Sequence, residues 1–206
     1  RRAYADRAEH MGDPDYWDVP LEMFRSKEYA KYRTTDIDIN RATPSDQVYA
    51  GQPSGYESPE TTHYSVVDQW GNAVSVTTTI NLGYGNGCVV KGAGFFLNNE
   101  MDDFSSKPGV PNVFGLIGNE ANAIEPNKRP LSSMTPTIVL KDNKPFLVVG
   151  SPGGSTIITT AMQTILNVVD HDMDIKEAVC AARFHSQWLP DVIQIELYGL
   201  AKDVIL

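Results

Sequence analysis

Two segments of this sequence each consist of two strand-like runs joined by a tight turn. In residues 63–81 the runs HYSVVD and NAVSVTTTIN flank QWG, which places the turn near Gly71. In residues 135–150, TPTIVLKDNKPFLVVG, the turn is Lys-Asp-Asn-Lys. Strands joined by such short turns pair antiparallel. The chain therefore has to fold around antiparallel hairpins.

Helical patterns accompany these hairpins. Residues 1–33 carry helix-like stretches, notably VPLEMFRSKEYAKY. SPGGS leads into the apolar periodic stretch TIITTAMQTILNVVDH, and DIKEAVCAARF begins with an aspartate that can cap a helix. VIQIEL predicts a last strand. The order predicts a layered α+β domain, with helices packed on the face of an antiparallel sheet.

Length and charge narrow the functional classes. The chain has 206 residues, which suits one domain, and its net charge is −9. An acidic surface argues against nucleic acid and anionic membranes as partners. The sequence contains no run of eighteen apolar residues, so we expect no membrane span in this chain. The two cysteines and four scattered histidines predict no metal site, and nothing implies a cofactor.

A loop-like segment precedes a pair of threonines. Eight of the eighteen residues in 43–60 are Pro, Gly or Ser, and none is Lys or Arg, which predicts an exposed flexible loop. The loop ends at Glu60, and Thr61 and Thr62 follow at the start of a strand. The β-propensity of threonine is sufficient to explain the pair on this pattern alone.

Three further groups of residues could carry chemistry. Gly153 and Gly154 lie between a strand and a helix, where bare N–H groups can hold an oxyanion or simply form a turn. Ser132 and Ser133 are adjacent hydroxyls that could bind a substrate or belong to a turn. The carboxylates of LNNEMDDF could receive a cationic group or form a solvated acidic loop; they are Glu100, Asp102 and Asp103.

Four motifs appear in an order that resembles one protein family. They are TTHYSVVDQWGNAVSVTTTIN, NNEMDDFSSKPGVPN, PNKRPLSSMTPTIV and GSPGGS. AYADRAEHMGDPD and RFHSQWLPD extend the likeness over nearly the whole chain. Together they resemble γ-glutamyltransferase (γ-glutamyltranspeptidase) of the N-terminal nucleophile hydrolase superfamily. The resemblance implies a four-layer αββα sandwich, of which this chain would be a partial copy.

The resemblance gives the threonine pair a function. It implies that a single inactive chain cuts itself between Glu60 and Thr61. Cleavage would free an α-amino group, whose pKa is about 7.7–8.0 in reference peptides, to act as the base for the Thr61 hydroxyl. The preceding loop could then move away from the site.

The resemblance also implies roles for other residues. Thr79 would orient the nucleophile, and Gly153 and Gly154 would form the oxyanion hole. The remaining matched residues would bind the α-amino and α-carboxylate groups of the substrate: Asn81, Glu100 and Asp103 for the first, Ser132 and Ser133 for the second. Relatives differ at the position of Glu100, where some have an amide. The arginine that binds the substrate carboxylate would lie upstream of this chain.

Two chain segments and several partners follow from the likeness. Residues 1–60 would be the C-terminal end of the large subunit and 61–206 most of the small, catalytic subunit. The partners would be a γ-glutamyl donor such as glutathione, an acceptor (water, an amino acid or a peptide) and the remainder of the large subunit. Although the chain carries no visible signal segment, the likeness implies a periplasmic or extracellular location.

Two alternatives stay open at the level of sequence. An acylase of the cephalosporin or glutaryl type shares the fold, but a glutaryl group has no ammonium for Asp103 to bind. In a non-catalytic binding domain, Thr61 would be a plain strand residue and the chain would stay uncut.

Overall fold

The computed structural model describes residues 1–48 and 61–205. These residues form two compact units, each assembled from separate stretches of chain. The first contains residues 1–48, 101–132 and 186–192, and the second contains 61–100, 133–185 and 193–205. Length alone suggested one domain; it could not show that distant segments associate into two units.

Three short helices begin the first unit, as the sequence predicts: α1 (Arg2–His10), α2 (Leu21–Arg25) and α3 (Lys27–Tyr32). Ser26 separates α2 from α3 because its hydroxyl accepts a hydrogen bond from the backbone N–H of Tyr29, at 3.0 Å, and so caps α3. The buried side chains of α1 pack in a core whose apolar members include Tyr4, Ala5, Ala8, Phe104, Phe114, Ile117, Ala121 and Trp188.

An ion pair fixes the segment that follows α1. The side chain of Asp13 is only 1% exposed, and it accepts hydrogen bonds from the backbone N–H and from Nε of Arg129, both at 2.9 Å. These bonds hold the pKa of the Asp13 carboxyl well below its usual range. The chain just before Ser132 is thereby tied to the chain after α1.

The prediction of an exposed loop over residues 43–60 is wrong for its first part. Ser45 and Val48 are 1% and 6% exposed, and Ser45–Gln47 forms a turn of 3₁₀ helix. The indole N–H of Trp188 donates to the carbonyls of Ser45 (3.1 Å) and Val48 (2.6 Å), and Asp191 accepts from the backbone N–H and hydroxyl of Ser45. Distant side chains therefore bury Ser45 and Val48, whereas Asp46 and Gln47 between them are exposed. The rest of the predicted loop lies outside the described residues.

The second unit contains the two predicted hairpins. Strands β1 (Thr62–Val67) and β2 (Ala73–Thr78) pair antiparallel. Gly71 adopts a φ of 85° in their turn. Strands β3 (Thr137–Lys141) and β4 (Lys144–Val149) pair in the same way. Asp142 and Asn143 both have positive φ, as a two-residue hairpin turn of this hand requires.

Within the described residues, the hairpins form separate two-stranded sheets instead of one sheet. Serine hydroxyls join them: Ser65 on β1 donates to the carbonyl of Val148 at 3.1 Å, and Ser75 on β2 donates to that of Val149 at 3.2 Å. These side-chain bonds to backbone carbonyls replace a backbone ladder between the hairpins.

Helices and short strands complete the second unit. Helix α4 (Ile157–Val169) follows the glycine pair, and α5 (Ile175–Cys180) begins at Asp174 with a capping box to Glu177. The predicted strand VIQIEL pairs only at β6 (Gln194–Ile195), opposite β5 (Phe184–His185). A further helix, α6 (Lys202–Ile205), was not predicted. None of the helices in the described ranges has the length and apolar character needed to cross a bilayer.

Candidate active site

The strand register brings the two predicted catalytic threonines to the same end of one hairpin. Thr62 pairs with Thr78, so Thr61 directly precedes β1 and Thr79 directly follows β2 at the same end of the hairpin. Both are partly buried. Glu60, on the other side of the predicted cleavage bond, lies outside the described residues. The register thus brings Thr79, the residue predicted to orient the nucleophile, to the same end of the hairpin as Thr61.

Asn81 turns the chain away from β2 towards the acidic segment. It is 3% exposed and adopts a φ of 75°, a left-handed conformation that asparagine tolerates better than most residues. Its backbone N–H donates to the hydroxyl of Thr79 at 2.9 Å, and its side-chain amide donates to the carbonyl of Asn99 at 3.2 Å. Asn81 therefore connects the threonine pair to the residue next to Glu100.

The predicted acidic residues share a short 3₁₀ helix, Glu100–Asp103. The carboxylate of Asp102 accepts the backbone N–H of Val113 at 2.9 Å, which gives it a structural role. The carbonyl of Asp103 accepts the side-chain amide of Asn122 at 2.7 Å. This bond fixes the backbone of Asp103 within the first unit, so the direction in which its side chain leaves the helix is also set.

Arg7 is a cation near Asp103 and Ser132 that the sequence reasoning missed. Its guanidinium approaches the carbonyl of Ser132, with Nη2 at 3.4 Å. Burial lowers the pKa of Arg7, and the negative charge of Asp103 acts in the opposite direction. The motif AYADRAEH contributes to the family resemblance, but the residues around Arg7 in the sequence do not mark it as part of a site.

The serine pair crosses the division between the units. Ser132 belongs to the first unit and Ser133 to the second, where the carbonyl of Ser133 accepts the hydroxyl of Thr135 at 2.9 Å. Asp103 also lies in the first unit. The other predicted site residues lie in the second unit: Thr61, Thr79, Asn81, Glu100, Gly153 and Gly154.

The glycine pair adopts backbone conformations that side chains disfavour. Gly153 and Gly154 have φ values of 131° and 55°. A Cβ on Gly153 would lie 2.4 Å from the hydroxyl oxygen of Thr156, which itself donates to the carbonyl of Gly153 at 2.7 Å. Gly154 is buried and begins the 3₁₀ turn that leads into α4. This glycine requirement is consistent with a loop whose backbone N–H groups serve a function.

No metal centre accompanies these residues in the part of the chain that the structure describes. Residues 1–48 and 61–205 contain no group of three or more His, Cys, Asp or Glu side chains placed to hold an ion. The candidate site offers hydroxyls, backbone N–H groups, carboxylates and the predicted α-amine.

Comparison with known proteins identifies the family. The sequence model described as gamma-glutamyltranspeptidase matches residues 1–205. The chain belongs to the γ-glutamyltranspeptidase family. Among its relatives, the glutathione hydrolase proenzyme of Escherichia coli K12 is 57% identical over 203 residues. The glutathione hydrolase proenzyme of Bacillus subtilis 168 is 41% identical over 219 residues.

Solved structures of γ-glutamyltranspeptidases agree with this assignment. A Helicobacter pylori γ-glutamyltranspeptidase variant is 69% identical, with a TM-score of 0.69 over 70% of this chain and 77% of that chain. A cephalosporin acylase from Bacillus halodurans is 25% identical, with a TM-score of 0.75 over 96% of this chain and 33% of that chain. The α+β class is thus confirmed.

The two glutathione hydrolase proenzymes are much longer than this chain. The matched region covers 98% of the chain but 35% of the length of the E. coli and B. subtilis relatives. The activity of the whole protein is therefore a matter for proposal.

Proposed function

We propose that the protein containing this chain is a γ-glutamyl acyltransferase and glutathione hydrolase with Thr61 as its N-terminal nucleophile. The observation that carries the proposal is the register of β1 and β2, which puts Thr79 opposite Thr61 at the strand ends in a chain of this family. The relatives named as glutathione hydrolase proenzymes support both the substrate and a precursor form.

Self-cleavage between Glu60 and Thr61 activates the enzyme in this proposal. An internal threonine has no base of its own, whereas an N-terminal threonine carries an α-amine that can accept its hydroxyl proton. The proposed division follows from this cut: residues 1–60 end the large subunit and 61–206 form most of the small one. In a related, acivicin-inhibited γ-glutamyltranspeptidase the C-terminus has critical roles in autoprocessing and catalysis, which supports self-cleavage here.

Catalysis then proceeds in two acyl transfers. The Thr61 hydroxyl oxygen attacks the γ-carbonyl carbon of the donor, and its proton passes through the α-amine to the leaving amine. The γ-glutamyl group is now an ester on Thr61. Water or the amine of an amino acid or peptide attacks this ester, and the Thr61 hydroxyl regains its proton. The N–H groups of Gly153 and Gly154 stabilise the oxyanion in both steps.

The other matched polar residues recognise the γ-glutamyl group. Asn81, Glu100 and Asp103 bind its α-ammonium, because an ionised carboxylate and an amide oxygen both accept hydrogen bonds. Ser132 and Ser133 donate to its α-carboxylate. The arginine for that carboxylate belongs to the remainder of the large subunit, the partner that this proposal requires.

The family also provides the basis for inferring the architecture of the whole protein and its cellular location. We infer that the hairpins and α4 belong to a four-layer αββα sandwich that the remainder of the large subunit completes. Periplasmic or extracellular location is likewise an inference from the family.

One rival reaction has a specific observation in its favour. The likeness to a cephalosporin acylase extends over 96% of the chain, further than the likeness to the H. pylori γ-glutamyltranspeptidase. The higher identity to γ-glutamyltranspeptidases and the acidic helix Glu100–Asp103 favour a donor that carries an ammonium group. A third alternative, an uncleaved binding domain, gives no function to the position of Thr79 opposite Thr61 at the end of the hairpin.

The test compares two chromogenic donors that differ in one group. The full-length protein should hydrolyse γ-glutamyl-p-nitroanilide, and glutaryl-p-nitroanilide, which lacks the α-ammonium, should be a much poorer substrate by kcat/KM. Adding glycylglycine should accelerate release from the γ-glutamyl donor if transfer occurs. Preference for the glutaryl donor would support the acylase instead, and failure with both donors in a folded, cleaved protein would contradict both reactions.

A further inference from the structure

A histidine ring lies between the strand of the nucleophile and the loop of the glycine pair. His63 is the second residue after Thr61, on β1. A Cβ built on Gly150 would lie 2.2 Å from Nδ1 and 2.3 Å from Cε1 of this ring. Gly150 comes directly after β4 and is followed by Ser-Pro and the glycine pair. The ring therefore contacts the backbone at the point where the glycine loop begins.

Hydrogen bonds hold the ring in this place from both sides. Nδ1 lies 2.8 Å from the hydroxyl of Thr77 on β2, and Nε2 lies 3.1 Å from the hydroxyl of Ser65 on β1. The Ser65 hydroxyl donates its hydrogen to the carbonyl of Val148 on β4. Nε2 must consequently donate to Ser65, and Nδ1 accepts from Thr77 when the ring is neutral. The ring cannot swing aside without losing these bonds.

We propose that His63 is a positioning residue that sets the spacing between Thr61 and the Gly153–Gly154 loop. The inference rests on the proposed roles of Thr61 and the glycine pair. The φ of Gly150 is not in the left-handed region, so its backbone would accept a side chain. The obstacle to a side chain is the His63 ring, which occupies the space where a Cβ would lie. The pair of Gly150 and His63 thus acts as a spacer of fixed thickness between β1 and β4.

The spacer matters most in the transition state. The attacking oxygen and the oxyanion donors have to meet the same carbonyl group, and a displacement of about 1 Å can cost about 10²-fold in rate. The donor is recognised by other residues, namely Asn81 and Asp103 in the proposal. A change in spacing should therefore lower kcat while KM changes little.

Paired substitutions in the full-length protein test the spacer. Gly150→Ala should force the ring and the loop apart and lower kcat on γ-glutamyl-p-nitroanilide about 10²-fold, with KM changed less than about threefold. Adding His63→Ala should restore kcat at least about tenfold, because the methyl group introduced by Gly150→Ala then occupies part of the space that the ring left. His63→Phe alone keeps the ring volume without its hydrogen bonds and should retain most of the wild-type kcat.

A matched glycine provides the control for this rescue. A Cβ on Gly12 would lie 2.0 Å from the carbonyl oxygen of Ala121, a comparable clash in the first unit. Gly12→Ala should be as disruptive to folding, and His63→Ala should not rescue it. Rescue of both glycine variants would indicate a general stabilising effect and would overturn the proposal.

Other outcomes are equally informative. The proposal is overturned if Gly150→Ala has wild-type kcat, or if the double variant is no faster than Gly150→Ala. If Gly150→Ala does not fold, the double variant still has to fold and turn over, and its failure would count against the spacer. A wild-type protein without γ-glutamyl hydrolysis would instead contradict the proposed function, so the two failures are distinguishable.

Discussion

Asp103 offers the sharpest test of substrate recognition at the level of one residue. Asp103→Asn keeps the shape of the side chain and removes its charge. Removing one partner of a buried ion pair typically costs about 3–5 kcal/mol, and a partly hydrated site loses less. We expect kcat/KM to fall for γ-glutamyl donors and to stay nearly unchanged for glutaryl donors, which have no ammonium. Self-cleavage should survive, because the donor takes no part in it.

Asp102 supplies the control for this prediction. It is one residue away on the same 3₁₀ helix, but its carboxylate accepts the backbone N–H of Val113. Asp102→Asn removes the same charge and should affect both donors alike and weakly. If Asp103→Asn also affects both donors alike, Asp103 is not the ammonium site.

His63 should also make stability depend on pH. Burial lowers the pKa of its ring in the folded protein, whereas the unfolded chain titrates near the usual value of about 6.5. As pH falls through that value, the unfolded state binds a proton that the folded state resists, so stability is lost. His63→Phe should therefore lose less stability than wild type between about pH 7.5 and 5.5, measured by urea unfolding. An identical loss in both proteins would contradict the assignment.

At the level of elements, the 3₁₀ turn Ser45–Gln47 is held in place by the indole N–H of Trp188. Trp188 is 2% exposed and donates to two carbonyls, those of Ser45 and Val48. Trp188→Phe keeps most of the apolar bulk but leaves these acceptors without their donor, which should cost about 1–3 kcal/mol. The midpoint of denaturant unfolding measures the loss. Trp70→Phe, at a site 78% exposed, should have little effect, and equal shifts would contradict the role of the indole.

Local chemistry made most of the elements predictable from sequence. The Asp-Asn turn of the second hairpin and the capping box at Asp174 depend on neighbouring residues only. The errors arose where distant residues decide. Trp188 and Asp191 bury Ser45 and Val48, in a segment that looks like a loop in isolation. Hydroxyl contacts to β4 take the place of a continuous sheet.

The same distinction applies to the candidate site. Thr61 and Thr79 could be matched in advance through the family resemblance, because both lie in the motif TTHYSVVDQWGNAVSVTTTIN, and the register of the hairpin brings them to the same end. The positions of Arg7 and His63 could not be predicted, because each contacts a distant part of the sequence. Arg7 contacts Ser132, 125 residues away, and His63 contacts Gly150, 87 residues away. A single sequence carries no direct signal for such contacts.

At the scale of the whole molecule, the first hairpin exposes apolar side chains that could form an interface. Tyr64, Val66 and Val74 are each at least half exposed. Contiguous apolar surface of this kind commonly marks an interface. We expect the remainder of the large subunit to cover it, so hydroxyl-radical labelling of Tyr64 should be weaker in the full-length protein than in this chain alone. Equal labelling would show that the face stays open.

The identity of the small product tests the central claim most directly. The full-length protein, purified without added protease, should yield a fragment whose N-terminal sequence begins Thr-Thr-His-Tyr-Ser, and its intact mass should match a cut between Glu60 and Thr61. Thr61→Ala should leave the precursor whole and inactive. A fragment that begins at any other residue, cleavage that requires an added protease, or a Thr61→Ala protein that still cuts itself would contradict the assignment of Thr61 as the nucleophile.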